Sequence, residues 1–490
     1  MVALGFETGG RMTGHGKQRD YGRRTAEGDT SYGMSPREER MHTLMRVLKF
    51  GGTSVQNAEM MNATLAIAGR QLDMAPVLVS SAMSEVTDQL QEIAKVVGSG
   101  AETEAKAILS AIETRHLQCA RSLLTGRNLA RCEEELGKVC DELRALLTAL
   151  AMLKEWSKRS NDAILSIGER LSTIILLHRA RELGIESELF DSRELVKTDD
   201  TFAAAMPIED LTNRLIASHV SPAPGKLVIL QGFIGSTTAG ATTTLGRGGS
   251  DYTATIVGAA LHAEEVQIWT DVSGIMTSDP RIVKTARTIS QIGYREAAEL
   301  AYFGAKVIHP ATIQPAMNLG IPVWVKNTFR PDDEGTKIVP AIPANGLKAI
   351  ACKKGITLVS INSSRMLLAY GFLRRIFEIF EKHQTPVDLI ATSEVSVSVT
   401  IDNASAVNGI ARDLSEIGTV GVETEKSIIC LVGQDLWKDT VFLARVFSSL
   451  KTTPVRMISL GASDINLSLV VPVENTEDSV RRLHSEFFGS

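Results

Sequence analysis

The sequence predicts an α/β protein: a mostly parallel sheet covered by helices on both faces, followed by two small α+β modules. Three observations predict it. Short apolar runs at residues 47–50, 75–80, 228–231, 266–270 and 322–326 are separated by stretches of helical spacing. Small-residue loops follow these runs, at the carboxyl ends of strands where an open parallel sheet binds its ligands. Past about Gly346 the pattern changes to shorter, alternating strands and an internal repeat.

Taken in order, residues 47–50 read as a buried strand broken by Gly51-Gly52, and 75–80 as a second strand ending in small polar residues. Helical spacing dominates from Ala101 to Leu183, as in Ala107, Leu109, Ile112 and His116, then Leu136, Val139, Leu143, Leu146 and Leu147. Heptads do not persist, so these helices are expected to pack on and beside the sheet. In the last part Val395, Val397 and Val399 alternate with serines. Thr385-Pro386-Val387-Asp388-Leu389-Ile390 is echoed by Thr453-Pro454-Val455-Arg456-Met457-Ile458. Each copy follows an amphipathic helix and precedes an acidic pair, Ser393-Glu394 or Ser463-Asp464, with an alternating strand behind it. A repeated strand–helix–strand–strand unit without an obvious catalytic group points to binding or assembly.

A chain of 490 residues exceeds one core, so two or three domains are expected. A net charge of -5 offers no basic field for nucleic acid or an anionic membrane. No apolar run approaches the roughly 20 residues of a membrane span. The five cysteines are odd in number and scattered, which argues against a disulfide framework or zinc and for the reducing cytoplasm. Residues 1–44 lack hydrophobic periodicity and predict a disordered extension, with Met41 or Met45 as a candidate start. That stretch has no apolar signal core, and its acidic residues argue against a transit peptide.

Five motifs carry chemistry. Lys49-Phe50-Gly51-Gly52-Thr53-Ser54 sets a fixed cation beside backbone N–H groups that can approach phosphate, although a plain strand-to-helix turn has the same pattern. Residues 243–253 place three glycines around Arg247 and Asp251 ahead of an apolar helix, an anion-binding arrangement. Arg247 suits a bidentate grip on a carboxylate; Asp251 can cap the helix or hold Lys49. Residues 269–281 follow a strand with hydroxyls and paired aspartates, a nucleotide-contact loop or a set of turns. Residues 303–310 offer Lys306 as a second phosphate contact, with His309 reading as a turn residue before Pro310. Glu169, near the start of an apolar helix, can meet a substrate ammonium or serve the helix dipole.

These blocks, together with Ser81-Ala82-Met83-Ser84, Thr87-Asp88 and the repeat at 388–399, resemble the aspartokinase family in the family's order, from Met45 to the C-terminus. The resemblance implies an amino-acid-kinase fold followed by two ACT (ferredoxin-like) modules, divided as a 1–44 extension, a 45–335 catalytic domain and modules at 346–425 and 426–490. It implies phosphorylation of the L-aspartate side-chain carboxylate by ATP with Mg²⁺, the ion held mainly by the phosphates, as the first step of lysine, threonine and methionine biosynthesis. Lys49 would stabilise the transferring phosphoryl group and Asp251 would orient it. Glu169 would hold the aspartate ammonium and Arg247 its α-carboxylate, with Ser81, Thr87 and Gly248 along the substrate. Gly51, Gly52, Thr53, Ser54, Thr270, Asp271, Met276, Arg281 and Lys306 would surround the nucleotide. Met366, Gly371, Phe372, Leu373, Val387, Asp388, Ser393 and Glu394 match effector positions of lysine-sensitive members, which favours lysine as inhibitor over threonine. A homodimer through the ACT modules is expected, because edge strands leave backbone groups a partner can meet.

Three positions depart from the family pattern. Glu85 stands where glycine is usual, Met276 where tyrosine is common, and Ala369 where the lysine-sensitive relatives often have serine. A kinase of the same fold acting on glutamate, acetylglutamate or a nucleotide is disfavoured, because Glu169 with Arg247 reads a free α-amino acid. An inactive amino-acid sensor is disfavoured by the retention of Lys49, Glu169, Arg247 and Asp251 together. A carboxylate is already a nucleophile, so no general base is required.

Overall fold

The computed structural model describes residues 44–489 apart from 99, 155, 305–307, 343–345, 368 and 369. The disorder expected of residues 1–44 falls, except at Leu44, outside the described residues, as do Lys306 and Ala369.

Eight strands build the first sheet: β1 (Arg46–Phe50), β2 (Val77–Ser80), β3 (Glu186–Phe190), β4 (Lys226–Gln231), β5 (Glu265–Thr270), β6 (Gln291–Gly293), β7 (Val323–Asn327) and β8 (Thr336–Val339). Their order is β3-β4-β2-β1-β5-β7-β8-β6, and every pair is parallel except β7 with β8. Alternate residues feed two cores: Val47, Val79, Val228 and Ile268 on one face, Leu48, Leu78, Ile229 and Trp269 on the other. Burial on both faces is why the strands read as continuous apolar runs. By the same alternation Lys49 lies on the face of Val47.

The Leu48 face is covered by α1 (Ala58–Gly69), α2 (Val86–Gly98), α3 (Glu102–Leu123), α4 (Gly126–Leu153), α5 (Lys158–Leu165) and α6 (Ile167–Glu182). Leu109, Ile112, His116 and Cys119 of α3, spaced three and four apart, form its buried stripe. His116 is a core residue: its Nδ1 lies 2.7 Å from the Ile112 carbonyl oxygen, and burial lowers its pKa to about 4. The Val47 face is covered by α7 (Glu209–His219), α8 (Gly249–Ala260) and α9 (Tyr294–Tyr302). A three-stranded sheet of Lys197–Thr198, Ile234–Thr237 and Thr242–Thr244 flanks the first.

The second sheet is antiparallel, with β9 (Gly346–Asn362), β10 (Ile390–Thr392), β11 (Ser396–Ile401), β12 (Thr419–Gln434), β13 (Met457–Leu460) and β14 (Asn466–Pro472) in the order β10-β11-β9-β12-β14-β13. The expectation of short strands fails at two of them: β9 runs 17 residues and β12 runs 16. Their apolar pattern is interrupted at Lys353-Lys354-Gly355 and Glu423–Lys426, polar gaps that read as turns. In the fold those gaps are register shifts in one ladder, with Gly355 and Glu425 at φ of +77° and +55°.

The shifts divide the sheet into two cores. Ile350, Ile429, Leu431 and Leu469 pack under α12 (Thr440–Ser449) and α13 (Thr476–Phe488). Val359, Ile361, Val397 and Val399 pack under α10 (Phe372–Lys382) and α11 (Val407–Ser415). Residue 425, the expected end of the first module, lies inside β12, and the second core takes a strand that precedes the first in sequence. The opposite face of the sheet carries Ala349, Ala351, Cys430 and Val432 into the core of α9, beside Leu300 and Phe303. No helix among the described residues is long and apolar enough to cross a membrane.

Candidate active site

Three parallel strands end side by side at the site, and each delivers one wall. After β1 come Gly51 and Gly52; after β2 comes the loop Ser81–Glu85; after β4 and the small sheet comes the glycine-rich turn into α8. The first two walls are stitched together by Ser81 N–H donating to Phe50 O at 3.0 Å and Ser84 N–H to Gly52 O at 3.1 Å. Ser81 Oγ donates to Ser250 Oγ at 2.9 Å and closes the third wall.

Lys49, placed on the α8 face by strand alternation, meets Asp251 in that helix's first turn: Nζ to Oδ1 is 2.6 Å. The N-cap of α8 is Gly248, so the capping alternative for Asp251 is not realised. Gly248 holds φ +72°, and a Cβ there would stand 2.9 Å from Thr312 Cγ2. Glycine is what lets the N–H groups of this turn open onto the site. Arg247 is exposed and makes no ion pair among the described residues.

Glu169 comes from the first turn of α6 and is 3% exposed. Burial raises its pKa to about 8, against the pull of the Ala82 N–H and its own backbone N–H, and its Oε2 has no hydrogen-bond partner. Such a carboxylate invites a cation. Gly168 permits its approach, since a Cβ there would lie 2.7 Å from Ala82 Cβ.

These groups surround one cavity of about 390 Å³. It gathers the predicted Lys49, Gly52, Ser81, Thr87, Glu169, Arg247, Gly248 and Asp251. Glu85 also lines it, exposed, at φ +70°. That left-handed backbone accounts for glycine being usual at this position in the resembling family.

The remaining predicted nucleotide residues lie elsewhere along the same sheet edge. Thr270 ends β5 and the exposed Asp271 follows it, next to Gly51, whose N–H donates to Trp269 O at 3.2 Å. Thr53 is half-buried, whereas Ser54 is fully buried, 2.7 Å from Thr328 Oγ1, and serves the loop's interior. Met276 is half-buried; Arg281 is exposed and paired with Asp279 at 2.7 Å, which holds the Asp279 carboxyl below its usual range. The loop between them is bound to the second sheet: Ile350 N–H donates to Thr277 O at 2.8 Å, and Thr277 Oγ1 lies 2.9 Å from His484 Nε2 of α13. His309 starts the turn to Thr312, as expected, its carbonyl accepting from Thr312 N–H.

Of the predicted effector residues, Gly371 is the N-cap of α10 at φ +75°, Phe372 is buried and Leu373 exposed. Met366 and Val387 pack against the core under α10 and α11, while Ser393 and Glu394 are exposed. Asp388 turns the other way. Its carboxylate accepts from Lys353 Nζ at 2.8 Å and Tyr302 Oη at 2.6 Å, tying the regulatory sheet to α9.

Sequence reasoning missed Arg115. This α3 residue donates to Ser84 O at 2.7 Å and Gln56 O at 3.1 Å, clamping two walls of the cavity from behind. Its only signal was a charge beside the buried stripe of a helix, next to His116.

The amino acid kinase family model matches residues 45–327, and an ACT domain model matches 429–487. Lysine-sensitive aspartokinase 3 of Escherichia coli (strain K12) is 38% identical over 452 residues, covering 90% of this chain and 99% of the relative. The crystal structure of E. coli aspartokinase III in complex with aspartate and ADP (R-state) superposes with a TM-score of 0.77 at 37% identity, over 91% of this chain and 100% of that one. The same enzyme in complex with lysine and aspartate (T-state) gives 0.77 at 37%, over 91% and 99%. The matched family model, the near full-length identity and the shared fold agree: the chain belongs to the aspartokinase family.

Proposed function

We propose that this chain phosphorylates the side-chain carboxylate of L-aspartate with ATP, yielding 4-phospho-L-aspartate and ADP. The observation that carries the reading is the single cavity in which a paired lysine, a buried carboxylate with one unpartnered oxygen and an unpaired arginine converge. Glu169 offers a charge for the α-ammonium and Arg247 for the α-carboxylate, leaving the β-carboxylate directed at Lys49. That carboxylate oxygen attacks the γ-phosphorus as the bond to the ADP oxygen breaks, and no proton has to be moved. Lys49, held by Asp251, stabilises the negative charge shared between the two anions. The glycine N–H groups and the Gly51–Thr53, Thr270–Asp271, Met276 and Arg281 segments supply the nucleotide's surroundings. Mg²⁺, when bound with ATP, supplies charge neutralisation on its phosphates.

We further propose feedback inhibition by lysine, a homodimer formed through the regulatory sheet, and a cytoplasmic enzyme. The lysine complex of the E. coli relative supports the effector. Exposed Ile390 and Ile458 on the edge strands β10 and β13 suit a partner's edge.

A coupled ADP-release assay comparing aspartate with glutamate tests the activity. Aspartate-dependent turnover is expected; equal rates with glutamate, or none with either, would refute the assignment. Lysine at 10 mM and sub-saturating aspartate should lower the initial rate, and an unchanged rate would remove lysine as effector.

A further inference from the structure

Asp162 lies on α5, one helical junction before Glu169, and its residue is 0% exposed. No cation pairs with it among the described residues. Three donors from the far side of the cavity fill its carboxylate instead. Ala203 N–H and Thr244 N–H both donate to Oδ2 at 2.9 Å, and Thr244 Oγ1 donates to Oδ1 at 2.8 Å. Thr244 is the last residue of its strand before Leu245, Gly246 and Arg247. Ala203 sits in a strained left-handed backbone at φ +75°, and the turn it belongs to backs directly onto Gly246. A second link, Ala205 N–H to Thr244 O at 2.9 Å, fastens that turn to the same strand.

A buried ionised carboxylate is costly unless its lone pairs are filled, and here two of its three donors belong to the segment that carries Arg247, the third to the turn fastened to that segment. We infer that Asp162 is a positioning residue that sets the spacing between the Glu169 and Arg247 charges, and so the fit of the substrate's α-amino-acid end. The inference rests on the reading of Arg247 as the α-carboxylate contact. One continuous stretch of chain, α5 into α6, then delivers the ammonium partner directly and the carboxylate partner through Asp162. None of the three bonds involves residues 51–54 or 270–281.

The test is steady-state kinetics on the full chain with Asp162→Ala, Asp162→Asn, Arg247→Ala and the Asp162→Ala/Arg247→Ala double variant. Asp162→Ala should raise KM for aspartate about tenfold or more, leaving KM for ATP unchanged. Asp162→Asn should recover most of that loss, because its carbonyl oxygen can take both N–H groups while its amide donates to the Thr244 hydroxyl. The double variant should be no worse for aspartate than Arg247→Ala alone. Should Asp162→Ala fail to fold, Thr244→Val, which removes one of the three bonds, should show a smaller rise with the same split. The inference is overturned if KM for both substrates rises together, or if the Asp162 and Arg247 effects multiply. If Arg247→Ala leaves KM for aspartate unchanged, it is the substrate reading itself that fails.

Discussion

At the scale of single residues, the site stands on two carboxylates in opposite situations. Asp251 is matched by Lys49, so removing the lysine costs both chemistry and a buried ion pair. Lys49→Ala is expected to lower kcat by about a hundredfold or more, and to destabilise the fold by about 3 kcal/mol by stranding Asp251. Adding Asp251→Asn should recover stability in a thermal melt without recovering turnover. Glu169 has no such partner until substrate arrives. Its pKa is raised to about 8, so its stabilising contribution is fully present below about 4.5 and is lost as pH rises through 8. The ligand-free protein should therefore lose stability over that window, and Glu169→Gln should flatten the loss. Aspartate binding near pH 7 should release a proton, measurable by calorimetry in buffers of different ionisation enthalpy; no proton release would refute the assignment of Glu169. The charged members of the site were legible because each stands in a short motif with a small-residue neighbour. Arg115 and Asp162 were not, since each acts through backbone groups far along the chain that only the fold brings near.

Among the elements, the turn into α8 carries the greatest constraint. Gly248→Ala would place a side chain at φ +72° and 2.9 Å from Thr312. It is expected to cost about 1 kcal/mol in backbone strain alone and to raise KM for aspartate, both checked on one purified variant by melting and kinetics. Five of the eight strands of the first sheet were readable because burial on both faces demands unbroken apolar runs; β3, only partly buried, and the short β6 and β8 were not. The long strands β9 and β12 were not, because a register shift and a turn use the same polar residues. Helix α8 begins at Gly249, inside the loop that reads as lying ahead of it, for a related reason: its first turn is built from the same Gly, Ser and Asp residues that make the anion-binding loop.

Across the whole molecule, catalytic and regulatory parts share one hydrophobic core through α9 and the inner face of the second sheet. A fragment covering residues 45–345 should expose that face and be recovered aggregated or inactive, whereas independent domains would leave it soluble and active. Interleaving also sets when the chain can fold. The strand half at 346–354 pairs with residues 427–434, and most of those pair in turn with β14, at 466–472. During synthesis the ribosome releases the first half-strand long before its partners exist. The sheet that supports α9 can therefore close only once β14 has emerged, and a chain truncated ahead of it would lose its regulatory module and its foundation in the same event.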